Sequence, residues 1–564
     1  MLTRAAPLVV LATVAFVAGL LIAAGSPELD AANRFAAAWE ETDYEAMHGE
    51  LTPAAAEEYP LERFQQLYER AAETGTLSSV AAGDAEGPTD AGDGDVVELE
   101  TTATTKAFGS ISATVPIPVT DGAVAWTPHL AFPGLEPGEQ LDRRTRTPER
   151  AAILAADGTP LAEGPTPARS STLGTAAIDI AGEIGVPKGE QATDLRAAGF
   201  PPGTLVGTSG LEQAFDERLI GTPGGQLLAT GAGAERVLAN TEPRPGAPVQ
   251  TTIDPDLQQT AVAALGALFG GVAVLDAKTG AVKAVAGIAF SSPQPPGSVF
   301  KIITTVAALE AGAVTPDEPF PVETEAVVEG RTISNAGDAA CGGTFTQSFA
   351  ESCNSVFAPL GAEVGAEKLL ATAEEFGFNS PPRLFGEEAT AVVDPPESSI
   401  PDPIGSDLEV AVSAIGQGQV LATPLQMASV AQTIAAGGSR SPTPLVDDPE
   451  LGPSGRPIEV TDTDTAATVR ELMVENVQSG TGIAADIAEA QVAGKTGTAE
   501  LGPDPDAPAP GPGEDPVLEE NAWFTSFAPA DAPKLAIAVM IVDASGSGGE
   551  VAAPIAAEIY SSAL

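Results

Sequence analysis

A chain of 564 residues is long enough for three or four domains with sizeable cores, and a hydrophobic content of 43% is that of a folded protein. Acidic residues number 78 against 26 basic ones, for a formal net charge of −52 at pH 7. Such a surface repels phosphate backbones, so nucleic acid is excluded as a partner. The acidity reads as a solubilising, salt-tolerant bias of the whole surface, not as a binding site.

After Arg4, residues 5–24 are uncharged and mostly apolar, and the first acid is Glu28. About twenty such residues just span a bilayer, with the positive flank left on the cytoplasmic side. Residues 1–27 are therefore expected to be a single-pass anchor in the cell membrane, with the bulk of the chain extracytoplasmic. The small residues Ala23, Ala24, Gly25 and Ser26 also fit a cleaved signal peptide. Over 28–74, Phe35, Trp39, Tyr44 and Met47 recur at roughly helical spacing, as do Leu61, Phe64, Leu67 and Tyr68. They predict two helices, the second opening at Thr52-Pro53. The Gly- and Asp-rich stretch 83–95 reads as a loop, followed by strands at 96–107, 111–119 and 123–132. Helices first and an antiparallel sheet second predict a small α+β domain over 28–138.

The span 139–248 is less regular and is expected to be a separate domain. It holds a short strand pair around 152–162 that turns at Asp157-Gly158. The glycine runs at 207–212 and 221–225 read as tight turns. Neither is followed by Lys-Ser or Lys-Thr at a helix start, so neither is a phosphate loop. From 249 onward a helix (257–269) leads to strands at 271–275 and 281–286, joined by a hairpin. Helical material dominates 298–480. Strands return at 488–499, 522–527 and 535–542 before a short helix, and the Pro-rich stretch 502–516 reads as a surface loop. A sheet built from both ends of 249–564, flanked by helices, fits this order.

Three short elements in that last domain carry chemistry: Ser298-x-x-Lys301, Ser352-Cys353-Asn354 and Lys495-Thr496-Gly497-Thr498. Ser298 follows Pro295-Pro296-Gly297 at a predicted helix start, where free N–H groups and the dipole favour negative charge. Lys301 lies one turn on, on the same face. A serine hydroxyl needs a base, and lysine serves as one only when burial or a neighbouring cation lowers its pKa. The two histidines, His48 and His129, lie outside this domain, so a Ser-His pair within it is ruled out, which strengthens the pairing of Ser298 with Lys301. Taken singly, Ser298 could be a helix cap, Asn354 a turn amide and Lys301 a solvated lysine; the ordered triple sets those readings aside. Lys-Thr-Gly occurs twice. The copy at Lys278-Thr279-Gly280 falls in the predicted hairpin turn and reads as structural. The copy at Lys495 continues an apolar strand with small residues that let a substrate backbone approach. Cys341 and Cys353 are the only cysteines. An even count in an exported chain suggests a disulfide closing a short loop, with two reduced buried thiols as the alternative.

With these motifs the chain resembles the penicillin-binding proteins, specifically the class B type, which carries transpeptidase activity alone. The segments 522–529, 416–418 and 423–428 resemble recurrent segments of that family. Residues 207–213, Asp216 and 221–224 resemble its pedestal, or dimerisation, domain, which here spans 139–248; Ala151 stands where the family usually has glycine after the arginine. Residues 28–135 are similar to the nuclear-transport-factor-like domain of the methicillin-resistance type. The resemblance implies a penicillin-binding, serine β-lactamase-like fold for 249–564. It also implies attack by Ser298 on the penultimate D-Ala carbonyl of a peptidoglycan stem peptide, with Lys301 as base aided by Lys495. Ser352 would relay the proton, Asn354 would orient the substrate, and Thr496, Gly497 and Thr498 would line the carboxylate site. The N–H groups of Ser298 and Thr498 would form an oxyanion hole. It implies β-lactams as substrate mimics, a membrane glycan polymerase as a partner, and no metal or organic cofactor. The rival readings are a D,D-carboxypeptidase or β-lactamase, and, in another class, a β-lactam sensor or non-catalytic scaffold.

Overall fold

The computed structural model describes residues 26–90, 95–231, 233–386, 389, 395–503 and 518–564. The apolar run at 5–24 lies outside the described residues, and so does most of the expected loop at 502–516. Among the described residues no helix is long and apolar enough to cross a membrane. The chain forms two compact units, each drawn from separate stretches. The first runs to Arg150 and adds 186–206 and 220–246; the second comprises 151–185, 207–219 and 247–564. The span expected as one pedestal is thus shared between them.

The first unit opens with four helices where the periodicity predicts two: Pro27–Glu40, Tyr44–Gly49, Pro53–Glu58 and Leu61–Gly75. Local capping breaks the pattern. Ala46 N donates to the Asp43 carboxylate (2.9 Å) and Ala55 N to the Thr52 hydroxyl (3.2 Å). Pro60, with no N–H to donate, lets a fresh helix begin at Leu61. The antiparallel sheet runs Leu77–Ala82, Asp95–Thr105, Gly109–Thr120, Ala123–Val124, with Glu86–Asp90 also paired to Asp95–Thr105. Glu86–Asp90 lies inside the stretch expected to be a loop. It is exposed throughout, so no apolar alternation betrays it. The third expected strand stops at Val124, and Pro128–Ala131 is a 3-10 turn, since Pro128 offers no donor to a ladder. A second sheet in this unit pairs Gly224–Gly231 with both Gln140–Arg146 and Ala234–Thr241.

The core of the first unit is aromatic. The Trp126 ring meets Phe64, Tyr59 and Tyr68 at centroid distances of 4.7, 5.1 and 5.8 Å. Its indole N–H donates to the Tyr68 hydroxyl at 3.0 Å, which donates in turn to the Leu130 carbonyl at 3.4 Å.

The second unit is organised by a five-stranded antiparallel sheet. Its strands are β1 (Gly270–Asp276), β2 (Val282–Gly287), β3 (Ala493–Pro503), β4 (Leu518–Ala528) and β5 (Leu535–Ile541), in the order β2-β1-β5-β4-β3. Strand alternation feeds two cores. Val272, Val274, Ile537, Val539 and Phe524 face one cluster, with helices α1 (Pro255–Leu265) and α7 (Ala553–Ala563). Ala273, Leu275, Ala538, Met540 and Trp523 face the larger one. That side is covered by α2 (Lys301–Glu310), α3 (Phe345–Ala350), α4 (Asn354–Val364), α5 (Pro424–Ala435) and α6 (Thr463–Gln478). In α5 every residue from Pro424 to Ile434 is buried, as befits a helix apolar on all sides. A buried ion pair (Arg169 Nε to Glu212 Oε1, 2.7 Å) holds the 151–185 and 207–219 stretches of this unit together.

Replacing Trp126 by alanine removes the centre of the aromatic cage and is expected to cost about 3–5 kcal/mol. Equilibrium urea unfolding followed by near-UV circular dichroism measures this; a loss under about 1 kcal/mol would contradict the assignment.

Candidate active site

The turn that carries Ser298 is held from two sides. Gly297–Phe300 forms a 3-10 turn that passes directly into α2, with Val299 and Phe300 fully buried and Ser298 partly exposed. Gly297 N donates to the Gly416 carbonyl (2.9 Å), which gives the 416–418 segment a structural task. Trp523 Nε1 donates to the Pro295 carbonyl (2.9 Å). At Gly297 φ is +54°, and a Cβ there would come within 2.5 Å of the Thr498 carbonyl oxygen. Only glycine lets the turn meet the edge strand β3 this closely.

Lys301 is fully buried. Its Nζ donates to the Ser352 carbonyl (2.8 Å), the Ser352 hydroxyl (3.3 Å) and Asn354 Oδ1 (2.7 Å). Among the described residues no hydrogen bond joins it to the Ser298 hydroxyl. Asn354 Nδ2 donates to the Ser334 carbonyl at 2.9 Å, which fixes which end of the amide faces the lysine. Ser352 adopts φ +64°, a conformation costing a non-glycine residue on the order of 1–3 kcal/mol. Its surroundings impose it. Ser352 N donates to the Phe349 carbonyl (3.1 Å) and Cys353 N to the Ser348 carbonyl (2.9 Å). Ser355 N donates to Asn335 Oδ1 (2.8 Å), and Cys353, wholly buried, is disulfide-bonded to Cys341, with Cα atoms 5.5 Å apart.

The third element lies on β3, the edge of the sheet. Lys495 pairs with Thr525 and Gly497 with Trp523, whereas Thr496 and Thr498 point to the opposite face. Lys495 is fully buried, and its Nζ donates to the Thr496 carbonyl at 3.1 Å. The Thr496 hydroxyl bonds that of Thr481, and Gly548 N donates to the Thr498 hydroxyl at 3.5 Å. The other Lys-Thr-Gly copy stands apart: Lys278 is exposed, and the Asp276 carboxylate caps the turn by accepting from Lys278 N and Thr279 N.

Two rings lie under the two ammonium groups. Lys301 Nζ is 5.2 Å from the Phe357 ring centroid and Lys495 Nζ is 5.6 Å from that of Phe349. Such contacts favour the charged form by about 0.5–2 kcal/mol, and desolvation outweighs them. Burial, then repulsion from Lys495, holds Lys301 well below the usual lysine range. Burial pulls Lys495 down to about 7. Both amines are thus pushed towards the neutral form, and as close neighbours they titrate as a coupled pair.

Several residues escaped the sequence reading. Asn335 donates to the Glu323 and Ala339 carbonyls at 2.9 and 2.8 Å and to the Ser355 hydroxyl at 3.2 Å, and so ties 323–339 to the segment after Ser352. Asn476 donates to the Ala350 carbonyl (2.7 Å) and the Thr481 hydroxyl (2.9 Å). A signal for Thr481 was present. Ser479-Gly480-Thr481-Gly482 repeats the hydroxyl–glycine alternation of 496–498, and a Cβ on Gly480 would lie 2.2 Å from the Ala350 carbonyl.

A buried amine, a serine one turn away, a second hydroxyl and a cation on a sheet edge define an active-serine acyltransferase class of site. The penicillin binding protein transpeptidase domain model matches residues 270–561, and the penicillin-binding protein dimerisation domain model matches 161–251. A similar curated protein is the peptidoglycan D,D-transpeptidase PbpA of Mycolicibacterium smegmatis, 34% identical over 388 residues, covering 57% of this chain and 73% of that one. Among solved structures, a D,D-transpeptidase domain of a peptidoglycan glycosyltransferase from Eggerthella lenta matches at TM-score 0.58 and 28% identity, covering 74% of this chain and 98% of that one. Penicillin-binding protein A of M. tuberculosis, as its penicillin G acyl-enzyme complex, matches at TM-score 0.58 and 26% identity, covering 74% and 99%. This chain belongs to the penicillin-binding protein transpeptidase family, and its dimerisation domain places it with the class B members.

Opening the Cys341–Cys353 bond with dithiothreitol is expected to lower stability by about 3 kcal/mol through the short loop it closes. Urea midpoints with and without reductant read this out; identical midpoints after verified reduction would contradict it.

Proposed function

We propose that the protein is a serine D,D-transpeptidase that crosslinks peptidoglycan stem peptides through an acyl-enzyme on Ser298. The single observation that carries the assignment of roles is the fully buried Lys301, hydrogen-bonded to both Ser352 and Asn354 one turn from Ser298. As the Ser298 oxygen bonds the penultimate D-Ala carbonyl carbon, its proton passes to the neutral Lys301 amine. The N–H groups of Ser298 and Thr498 receive the developing oxyanion. Collapse breaks the peptide C–N bond, and Ser352, in contact with Lys301, delivers a proton to the departing D-Ala nitrogen. An acceptor amine from a neighbouring stem peptide then attacks the ester and gives its proton back along the same path. Lys495 with the Thr496 and Thr498 hydroxyls holds the terminal carboxylate, and Asn354 orients the donor amide. A β-lactam acylates Ser298 by the same steps.

The remaining parts of the proposal concern placement. Residues 5–24 anchor the chain in the cell membrane with its bulk outside, supported by the apolar run and by a disulfide of the kind found in oxidising compartments. The helix-then-sheet unit at 28–138 is read as the nuclear-transport-factor-like domain. A membrane glycan polymerase is the proposed partner.

Labelled penicillin is expected to acylate the wild-type protein and not Ser298→Ala, and Lys301→Ala should slow acylation at least ~10²-fold. Labelling that persists in Ser298→Ala sinks the site, and near-normal rates in Lys301→Ala sink the base. Quick release of hydrolysed penicillin would point to a β-lactamase instead.

The pH profile follows from the two lysines. The productive free enzyme has neutral Lys301 and charged Lys495. Acylation kcat/KM should therefore fall on the alkaline side with an apparent pKa of about 7. Lys495→Arg should move that limb upward, because a guanidinium keeps its charge there. A wild-type rate that is flat from about pH 6 to about pH 9 would contradict these protonation states.

A further inference from the structure

Away from the Ser298 site, the second unit holds a cavity of about 200 Å³ between the loops at 380–383 and 440–443 and the segment 454–456. Among the described residues its charged lining consists of Arg383, Arg440 and Arg456, without one carboxylate. That runs against a chain in which 78 acids face 26 bases. Among the described residues none of the three guanidinium groups forms an ion pair. Arg383 Nη1 donates to the Ser454 carbonyl, at 3.5 Å. The Nε of Arg440 is buried with no hydrogen-bond partner among the described residues. A buried, unpaired donor on a cation is costly. The Arg440 guanidinium packs against the Gly377 backbone: a Cβ there would sit 2.3 Å from its Nη1. Burial, then the neighbouring charge of Arg383, lowers the Arg440 pKa. The free protein therefore holds two like charges together beside the hydroxyls of Ser380 and Ser441, at proline-stiffened loops.

We infer that this cavity is a binding site for an oxyanion, a phosphate or carboxylate group carried by a small ligand or by the end of a larger one. Planar guanidinium forks match both groups with paired, charge-assisted hydrogen bonds. An incoming negative charge would offset the repulsion between Arg383 and Arg440.

The test is the thermal midpoint of the full-length protein with inorganic phosphate or succinate, at ionic strength held constant with chloride. Comparison with Arg440→Gln and Arg383→Gln cancels the general salt effect of each anion. Wild type should gain about 2 °C or more from at least one anion, and each variant should lose over half of that gain. A response to phosphate alone assigns a phosphate-bearing ligand, and a response to both admits a carboxylate. Without added anion, Arg440→Gln should melt at or above the wild-type temperature, because it relieves repulsion. Equal gains in wild type and both variants, or no gain at all, overturns the inference. Penicillin acylation of Ser298 should be unchanged in both variants, so this site and the transpeptidase reading stand or fall separately.

Discussion

The structure turns on the burial of two lysines, Lys301 and Lys495, in one polar pocket, where among the described residues no carboxylate pairs with either. Water stabilises an ammonium far better than a protein interior does, so burial favours the neutral amine. The chain offsets part of the cost with carbonyl and amide oxygens and a phenyl ring for each cation. What remains shifts both groups downward. Because each folded pKa lies below its unfolded value, the folded state binds fewer protons than the unfolded one. Their destabilising effect is then fullest below the folded pKa, and stability rises with pH from about 7 for Lys495 towards the ordinary lysine value of about 10.4. That arrangement is poor for stability and suits the role of base proposed for Lys301.

The rest of the second unit sets this pocket beside the turn that carries Ser298, one helical step before Lys301. The five-stranded sheet leaves β3 at its edge, with Thr496 and Thr498 on one face and Lys495 and Gly497 on the other. Gly297 lets the turn that carries Ser298 meet that edge, and Gly416 lets its own segment pack against the same turn. The Cys341–Cys353 bond and the Asn335 contacts hold Ser352 in its left-handed conformation. The same loop therefore carries the strain and the residues that orient Lys301.

Much of this was legible in the sequence, for identifiable reasons. Hairpin β1–β2 and strands β4 and β5 alternate or run apolar because both sheet faces are covered, so their positions read out within a few residues. The three motifs are local, and their order along the chain survives folding. The exposed strand Glu86–Asp90 was not readable, because its pairing is carried by the backbone. The helices before Leu61 were merged, since periodicity does not see a cap at Asp43 or a break at Pro60. Thr481, Asn476 and Asn335 act on the site through backbone carbonyls and through each other, which no spacing rule records. The aromatic floor of Phe349 and Phe357 looks, in sequence, like ordinary core.

The most direct test of the account is the protonation state of Lys301 itself. With only eight lysines in the chain, nitrogen-15 labelling of lysine side chains resolves each amine by NMR, and Lys301→Gln identifies the resonance that belongs to it. At neutral pH the account predicts a neutral-amine shift for Lys301 while the exposed lysines remain ammonium. An ammonium shift for Lys301 that persists to pH values near those of the exposed lysines would contradict it.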